Sequence, residues 1–257
     1  MIKSGLVSVT FRRKTPEEIC VLCVKAGLKA IEWGGDVHVP AGDIDTAQRV
    51  RTLCELYGLE TCAYGSYYRV GDDMSEFERC LDTAVELGAP VMRVWCGRMG
   101  SSQASEDYRS GIIANLHEIC AAAEARGMVI APEFHSGTLT DDIQSIRQLM
   151  KATEDIKNLK LYWQPRWDWT EEERLQALEM VKPKLAYVHT FTWVHTPDIV
   201  RLPLAEGEKM WKKALRMIDG SNALIEFVKD DSDESLMNDA AALNDWMAEI
   251  AKENGGR

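Results

Sequence analysis

The stretch ARGMVIAPEF, residues 125–134, decides the fold of this 257-residue chain. A helical segment ends at Gly127, and the apolar run MVIAPE follows at once. Glycine is favoured just after a helix because it adopts a left-handed backbone at little cost. The run is too uniformly apolar for a strand with one face in water, and strands buried on both faces belong to parallel sheets covered by helices. The stretch therefore predicts a helix followed by a buried parallel strand.

The same pattern recurs along the chain, as KAGLKAIEW, LYGLETCAY and ELGAPVMRVW around Gly27, Gly58 and Gly88. We predict strands near 3–9, 29–33, 59–64, 91–96, 128–133, 159–164, 185–189 and 222–226. We predict helices near 15–26, 43–57, 73–87, 105–126, 139–152, 170–181, 206–218 and 232–252. This strict alternation predicts an α/β fold, a (β/α)8 TIM barrel forming a single domain over residues 1–257. A doubly wound open sheet is the main alternative, but it would carry a glycine-rich loop after the first strand, where VSVTFRRKT has no glycine.

Composition narrows the classes of function. The formal net charge of −11 disfavours nucleic acid as a partner, because an acidic surface repels phosphate backbones. No apolar run is long enough to span a bilayer, and the first residues lack the apolar segment of a signal peptide. The seven cysteines, an odd number scattered through helix and strand patterns, indicate reduced thiols. We therefore expect a cytoplasmic protein without a membrane partner.

Four polar residues each end a short apolar run: Glu133 in VIAPE, Gln164 in LKLYWQ, His189 in LAYVH and Glu226 in ALIE. They lie 31, 25 and 37 residues apart, and each interval corresponds to about one strand and one helix. The carboxyl ends of parallel barrel strands converge on one mouth. Two carboxylates, an amide oxygen and an imidazole in one pocket predict a divalent-metal site.

Other side chains near the same strand ends are candidates for substrate binding. His135 lies two residues after Glu133, and Lys229 lies three residues after Glu226, although a salt bridge to a nearby aspartate would also explain Lys229. The remaining candidates are two arginines and four aromatic residues: Arg166, Arg201, Trp33, Tyr64, Trp95 and Trp167. Flat apolar walls suit the C–H faces of a sugar, but some of these rings belong to the core in any barrel.

The longest connection in the pattern runs from His189 to about Glu206, as TFTWVHTPDIVRLPLAEG. Connections of this length inside a compact domain are usually functional. We expect it to overhang the mouth of the barrel.

With these strand-end residues, the chain resembles the xylose isomerase-like barrels. That family includes sugar isomerases, ketose 3-epimerases, inosose dehydratases and endonuclease IV. In the epimerases, Glu, Asp, His and Glu from strands five to eight hold a divalent ion, and the resemblance assigns these roles to Glu133, Gln164, His189 and Glu226. The resemblance implies manganese, cobalt, magnesium or zinc as the metal, no other cofactor, and a homodimer or homotetramer as the assembly.

One motif departs from that pattern. The epimerases carry Asp-x-x-His after strand six, whereas this chain has Gln164-Pro165-Arg166-Trp167. A glutamine oxygen can bind a hard cation but brings no charge, so the ligand charge is −2 rather than −3. The departure implies a weaker metal site or a different substrate.

We predict a metal-dependent sugar or sugar-phosphate isomerase or epimerase, in which Glu133 and Glu226 move a proton next to a carbonyl through an enediolate. A lyase or dehydratase acting on a keto-sugar or inosose would begin with the same step. A non-catalytic sugar-binding barrel is a further alternative. A nuclease of the endonuclease IV type fits poorly, because that chemistry uses a three-zinc cluster with several histidines and this chain has five in all.

Overall fold

Eight parallel strands close into a barrel, and helices connect each strand to the next. The computed structural model describes residues 2–195, 197–218 and 220–255, with the side chains of the last two of these left aside. The other positions of the predicted 1–257 domain, among them Thr196 in the long connection, lie outside this description. Around the barrel the strand order is β1-β10-β7-β6-β5-β4-β3-β2, and the remaining strands β8 and β9 form a separate antiparallel hairpin.

The strand bounds are β1 Ser4–Val7, β2 Ala30–Gly34, β3 Glu60–Arg69, β4 Val91–Trp95, β5 Val129–Glu133, β6 Leu161–Trp163, β7 Leu185–Thr190, β8 Thr192–His195, β9 Ile199–Leu202 and β10 Asn222–Ile225. The helix bounds are α1 Pro16–Lys25, α2 Ile44–Tyr57, α3 Met74–Leu87, α4 Glu106–Glu124, α5 Ile143–Ala152, α6 Glu171–Val181, α7 Glu208–Met217 and α8 Asp233–Gly255. The predicted (β/α)8 architecture is therefore confirmed. The four glycines that defined the repeated pattern all have left-handed backbones, with φ between +65° and +77°.

Three parts of the chain differ from the prediction, and the first is β3, which continues to Arg69 instead of ending near residue 64. Helix α5 begins at Ile143 and not near residue 139, because Thr140 donates a hydrogen bond back to the carbonyl of Glu133 and Asp142 caps the helix instead. The long connection after His189 is not irregular throughout: it contains the β8–β9 hairpin, in which Trp193 pairs with Arg201 across the strands.

The core has two parts. A large layer between the strands and the helices contains the bulky rings, including Trp33, Phe77, Trp163 and Trp211. The barrel interior contains a smaller apolar cluster of mostly small side chains, such as Ala30, Ala63 and Ala131, together with Tyr162. Above this cluster, towards the carboxyl ends of the strands, the interior becomes charged. In the described ranges, no helix is both long and apolar enough to cross a membrane.

Candidate metal centre

Three of the predicted ligands meet at the top of the barrel interior. Glu133 ends β5, His189 lies near the end of β7, and Glu226 directly follows β10. One ligand atom from each lies within 4.8 Å of the others. The Nδ1 atom of His189 is 3.2 Å from Oε1 of Glu133 and 3.4 Å from Oε2 of Glu226. Their exposures are 3%, 0% and 7% for Glu133, His189 and Glu226, so the group is almost sealed from water.

The imidazole of His189 is oriented as a metal ligand would be. Its Nε2 atom lies 3.2 Å from a carboxylate oxygen of Glu32, whereas the buried Nδ1 atom has no hydrogen-bond partner. If Nε2 carries the proton and donates to Glu32, Nδ1 presents a lone pair to the space between Glu133 and Glu226. A metal-bound histidine usually has this kind of carboxylate partner on its other nitrogen. Two carboxylates and one imidazole suit a divalent cation such as manganese, zinc, cobalt or magnesium, so the residues fit the implied metal.

The carboxylates around His189 favour a positive charge in the cluster. Burial alone lowers the pKa of His189, but the carboxylates of Glu226 and Glu32 outweigh burial and raise this pKa well above its usual value. A proton on the imidazole and a cation beside it relieve the same excess of negative charge. Metal binding and protonation of His189 therefore exclude each other.

A buried ion pair supports the cluster from below. The Nε atom of Arg93 donates to Glu32 at 2.8 Å, and its Nη1 atom donates to Oε2 of Glu133. The indole of Trp95 donates to the same oxygen of Glu133 at 2.7 Å. Burial raises the pKa of Glu133, but Arg93 and then His189 outweigh burial and hold this pKa well below its usual range. Glu133 therefore stays ionised, with one oxygen held by donors and the other directed to His189.

A glycine makes room for this ion pair. A Cβ atom added at Gly65 in β3 would lie 2.6 Å from Oε1 of Glu32 and 3.0 Å from Nη2 of Arg93. The first distance is shorter than a non-bonded contact allows. Only glycine at position 65 therefore leaves room for the buried ion pair of Glu32 and Arg93.

Glu32 and Arg93 were not predicted from the sequence as site residues, although a signal existed. Glu32 and Arg93 interrupt the otherwise apolar strands AIEWG and VMRVW. A charged side chain in such a run is costly to bury without a partner, so one in each of the two strands that flank β3 indicates a buried pair.

A cavity of about 320 Å³ opens above the cluster. Of the predicted site residues, seven line it: Glu133, Gln164, Glu226, His135, Arg166, Trp95 and Trp167. The amide nitrogen of Gln164 donates to the carbonyl of Phe134, which leaves the amide oxygen available as a ligand. Four further aromatic residues also line the cavity: Tyr67, Phe191, Trp193 and Phe227.

Four predicted substrate-binding residues lie elsewhere. Trp33 and Tyr64 are fully buried between barrel and helices, where the indole of Trp33 bonds to Cys54 and the Tyr64 hydroxyl bonds to a backbone carbonyl. Their neighbours in sequence, not they, point into the barrel, because side chains alternate along a strand. Arg201 pairs with Asp231 at 2.6 Å beside a second cavity of about 550 Å³. Lys229 is exposed and lines neither cavity.

The loop after β10 contributes to the walls of both cavities. Val9 and Phe227 line both of them. Phe227 and Asp231, in this loop, are the non-glycine residues of the described chain with left-handed backbones, at φ +52° and +57°. Strained backbone of this kind persists where the surrounding structure enforces it, and it concentrates at functional sites.

These features define a (β/α)8 barrel with a candidate divalent-metal centre at the carboxyl ends of its strands. The chain belongs to the xylose isomerase-like TIM barrel family, which it matches over residues 20–249. The family resemblance inferred from the strand-end residues is thereby confirmed.

Individual relatives are distant. A 3-dehydroshikimate dehydratase from Bacillus anthracis is 21% identical over 200 residues, covering 73% of this chain and 71% of the relative. The crystal structure of the probable 3-DHS dehydratase of petrobactin synthesis from the same organism has a TM-score of 0.79 at 19% identity, covering 95% of this chain and 99% of that one. A D-allulose 3-epimerase from Methylomonas sp. has a TM-score of 0.66 at 14% identity, covering 98% and 97%. The structural likeness establishes the fold.

Proposed function

We propose that the protein is a divalent-metal-dependent isomerase that moves a proton next to a carbonyl group of a small sugar-like substrate. The observation that carries this proposal is the buried, unpartnered Nδ1 of His189, which faces two carboxylates while Glu32 holds the opposite nitrogen. Glu133, His189 and Glu226 would hold the cation, and the amide oxygen of Gln164 is the proposed fourth ligand. The cation would supply Lewis acidity, which makes the C–H next to a carbonyl easier to deprotonate.

The two glutamates of the predicted acid/base pair are held differently. Arg93 and Trp95 bind Glu133, and its pKa lies well below the usual range despite its burial. Glu226 lines the cavity and contacts His189 at 3.4 Å. We therefore assign proton removal and return to Glu226, with Glu133 mainly a ligand. Isomerisation needs one such base. Epimerisation also needs Glu133 to exchange a proton, although Arg93 binds its carboxylate and favours the ionised form.

A dehydratase or lyase is the second candidate. The same base removes the same proton, and a leaving group on the next carbon then departs with its electron pair instead of the proton returning. Two observations favour this candidate: Glu226 lines the cavity without the arginine and indole donors that bind Glu133, and the distant relative is described as a 3-dehydroshikimate dehydratase.

The test is proton exchange in heavy water. The protein, loaded in turn with manganese, cobalt, magnesium or zinc, is incubated with ketoses, keto-sugars, sugar acids and 3-dehydroshikimate, and NMR reports deuterium entering the carbon next to the carbonyl. Glu226→Gln should abolish the exchange. Glu60→Gln is the matched control, because Glu60 pairs with Lys3 at the opposite end of the barrel and should exchange at the wild-type rate.

The outcome also separates the alternatives. Unchanged product mass identifies an isomerase, and loss of water identifies a dehydratase. Exchange by Glu226→Gln at the wild-type rate would contradict the assigned base. Tight binding of a sugar without any exchange, unaltered by a chelator, would support a non-catalytic binding barrel instead.

A further inference from the structure

Rings surround the cavity above the candidate metal centre on three sides. On one side Tyr67 and Trp95 meet edge to face, with centroids 5.1 Å apart. On another side Trp167 lines the cavity and stacks on His195 of the hairpin at 4.5 Å. The third side, formed by loops after β7 and β10, has Phe191 and Trp193 at 4.3 Å, with Phe227 next to Trp193. The walls are therefore flat and apolar.

Three polar side chains of the same walls, those of Arg166, His135 and Gln164, already form hydrogen bonds within the protein. Arg166 donates to Ser136 at 3.1 Å and to Asp168 at 2.6 Å. The Nδ1 atom of His135 lies 2.9 Å from the carbonyl of Ser136. The amide nitrogen of Gln164 bonds to a backbone carbonyl. Few donors are thus left for the hydroxyls of a ligand above the metal centre.

Two N–H groups of the lining residues have no partner, Nε of Arg166 and Nε1 of Trp193. Both atoms are buried from solvent, so they do not face the cavity. The indole of Trp95 already donates to Glu133, so its N–H group is not free for a ligand.

A polyhydroxylated chain would fit such walls badly, because each buried hydroxyl without a partner weakens binding. A flat apolar ring would fit well, because aromatic side chains stack on it or contact it edge to face. We infer that the substrate joins a sugar-like chelating head to a flat apolar body such as an aryl ring. This inference rests on the proposed metal-dependent function. The cavity of about 320 Å³ above the metal centre has space for a body of this kind.

Two hydroxamates with the same metal-chelating head test the inference. Benzohydroxamate carries a flat aryl ring, and threonohydroxamate carries a short polyhydroxylated chain. Titration calorimetry of the manganese- or zinc-loaded protein should show that benzohydroxamate binds at least tenfold more tightly. Trp167→Ala should reduce this ratio at least threefold. Tyr57→Ala, which removes a ring at the end of α2 outside the cavity, should leave the ratio unchanged.

The outcomes distinguish the inference from the function on which it rests. Metal-dependent binding of both probes, with threonohydroxamate equal or tighter, overturns the inference and leaves the metal centre standing. Binding of neither probe to the metal-loaded protein overturns the proposed centre and the inference with it. The wild-type ratio alone is decisive, so the result does not depend on the folding of a variant.

Discussion

Replacing Glu32 with glutamine should weaken cation binding although Glu32 contacts no cation in the proposed site. The carboxylate now accepts from two donors, Nε of Arg93 at 2.8 Å and Nε2 of His189 at 3.2 Å. A glutamine side chain has one acceptor oxygen and presents an NH2 group in place of the other. Either Arg93 or His189 then loses its partner, and the orientation of the imidazole is no longer fixed.

The expected size of the effect follows from charge and distance. A cation about 2.1 Å from Nδ1 of His189 would lie about 7 Å from the Glu32 carboxylate. At an effective dielectric constant of about 20, a doubly positive and a singly negative charge at about 7 Å attract by about 5 kcal/mol. The amide dipole and relaxation of the site recover part of this. Loss of the outer partner of a metal-bound histidine weakens metal affinity about 10- to 100-fold, and we expect Glu32→Gln to fall in that range.

Competition with a fluorescent chelator at fixed pH measures the dissociation constant of zinc or manganese for each variant. Circular dichroism confirms that the variant is folded, and Glu60→Gln serves again as the glutamate control at the far end of the barrel. If Glu32→Gln binds the cation within twofold of the wild type, then Glu32 does not position His189, and the argument for a pre-oriented ligand is refuted.

Three further predictions concern stability. Gly65→Ala should lower the free energy of unfolding in urea by about 1–3 kcal/mol, because its Cβ would lie 2.6 Å from Oε1 of Glu32. Gly111→Ala is the control: its Cβ would lie in α4 with no atom within 4 Å, so this change should be neutral or stabilising. Burial raises the pKa of Asp239 from 3.8 to about 6, so its contribution to stability is full below pH 3.8 and is lost as the pH rises through 6. Between pH 4 and pH 8, the free energy of unfolding of Asp239→Asn should therefore rise by about 1–3 kcal/mol relative to the wild type in thermal unfolding. A difference between the two proteins that does not change with pH would contradict the raised pKa. Thr170→Ala should cost about 1 kcal/mol in the same assay, because it removes the capping box of α6.

The fold could be predicted because local and global signals agree in this chain. Helices α1 to α4 each end near a glycine that is followed by a predicted strand, and the barrel is the arrangement that buries eight such apolar strands. The predictions failed where a local contact competes with the pattern. The start of α5 is displaced because Thr140 bonds back to Glu133, and periodicity in sequence gives no indication of that bond.

The site was partly predictable for a different reason. Residues at the ends of apolar runs reach the mouth of the barrel by topology alone, as Glu133 and Glu226 do. Which neighbouring residues face the interior depends on the alternation along each strand. Because Glu32 points into the barrel, Trp33 must point to the helices. Trp33 was wrongly predicted to bind substrate because the inward position of Glu32 was not recognised.

The net charge of the metal centre offers a reason why Gln164 replaces the family aspartate beneath an aromatic cavity. Glu32 and Arg93 neutralise each other, and the proposed ligands Glu133 and Glu226 together bring a charge of −2, which a divalent cation cancels. An aspartate in place of Gln164 would leave the loaded centre with a net negative charge beneath a cavity whose walls offer few donors. In the proposed reaction, negative charge developing on the substrate would be repelled by such a centre. Glu133, Glu226 and Gln164 would instead hold the cation in a centre of zero net charge, where its Lewis acidity would be less offset. Gln164 is therefore consistent with an active centre adapted to an apolar cavity.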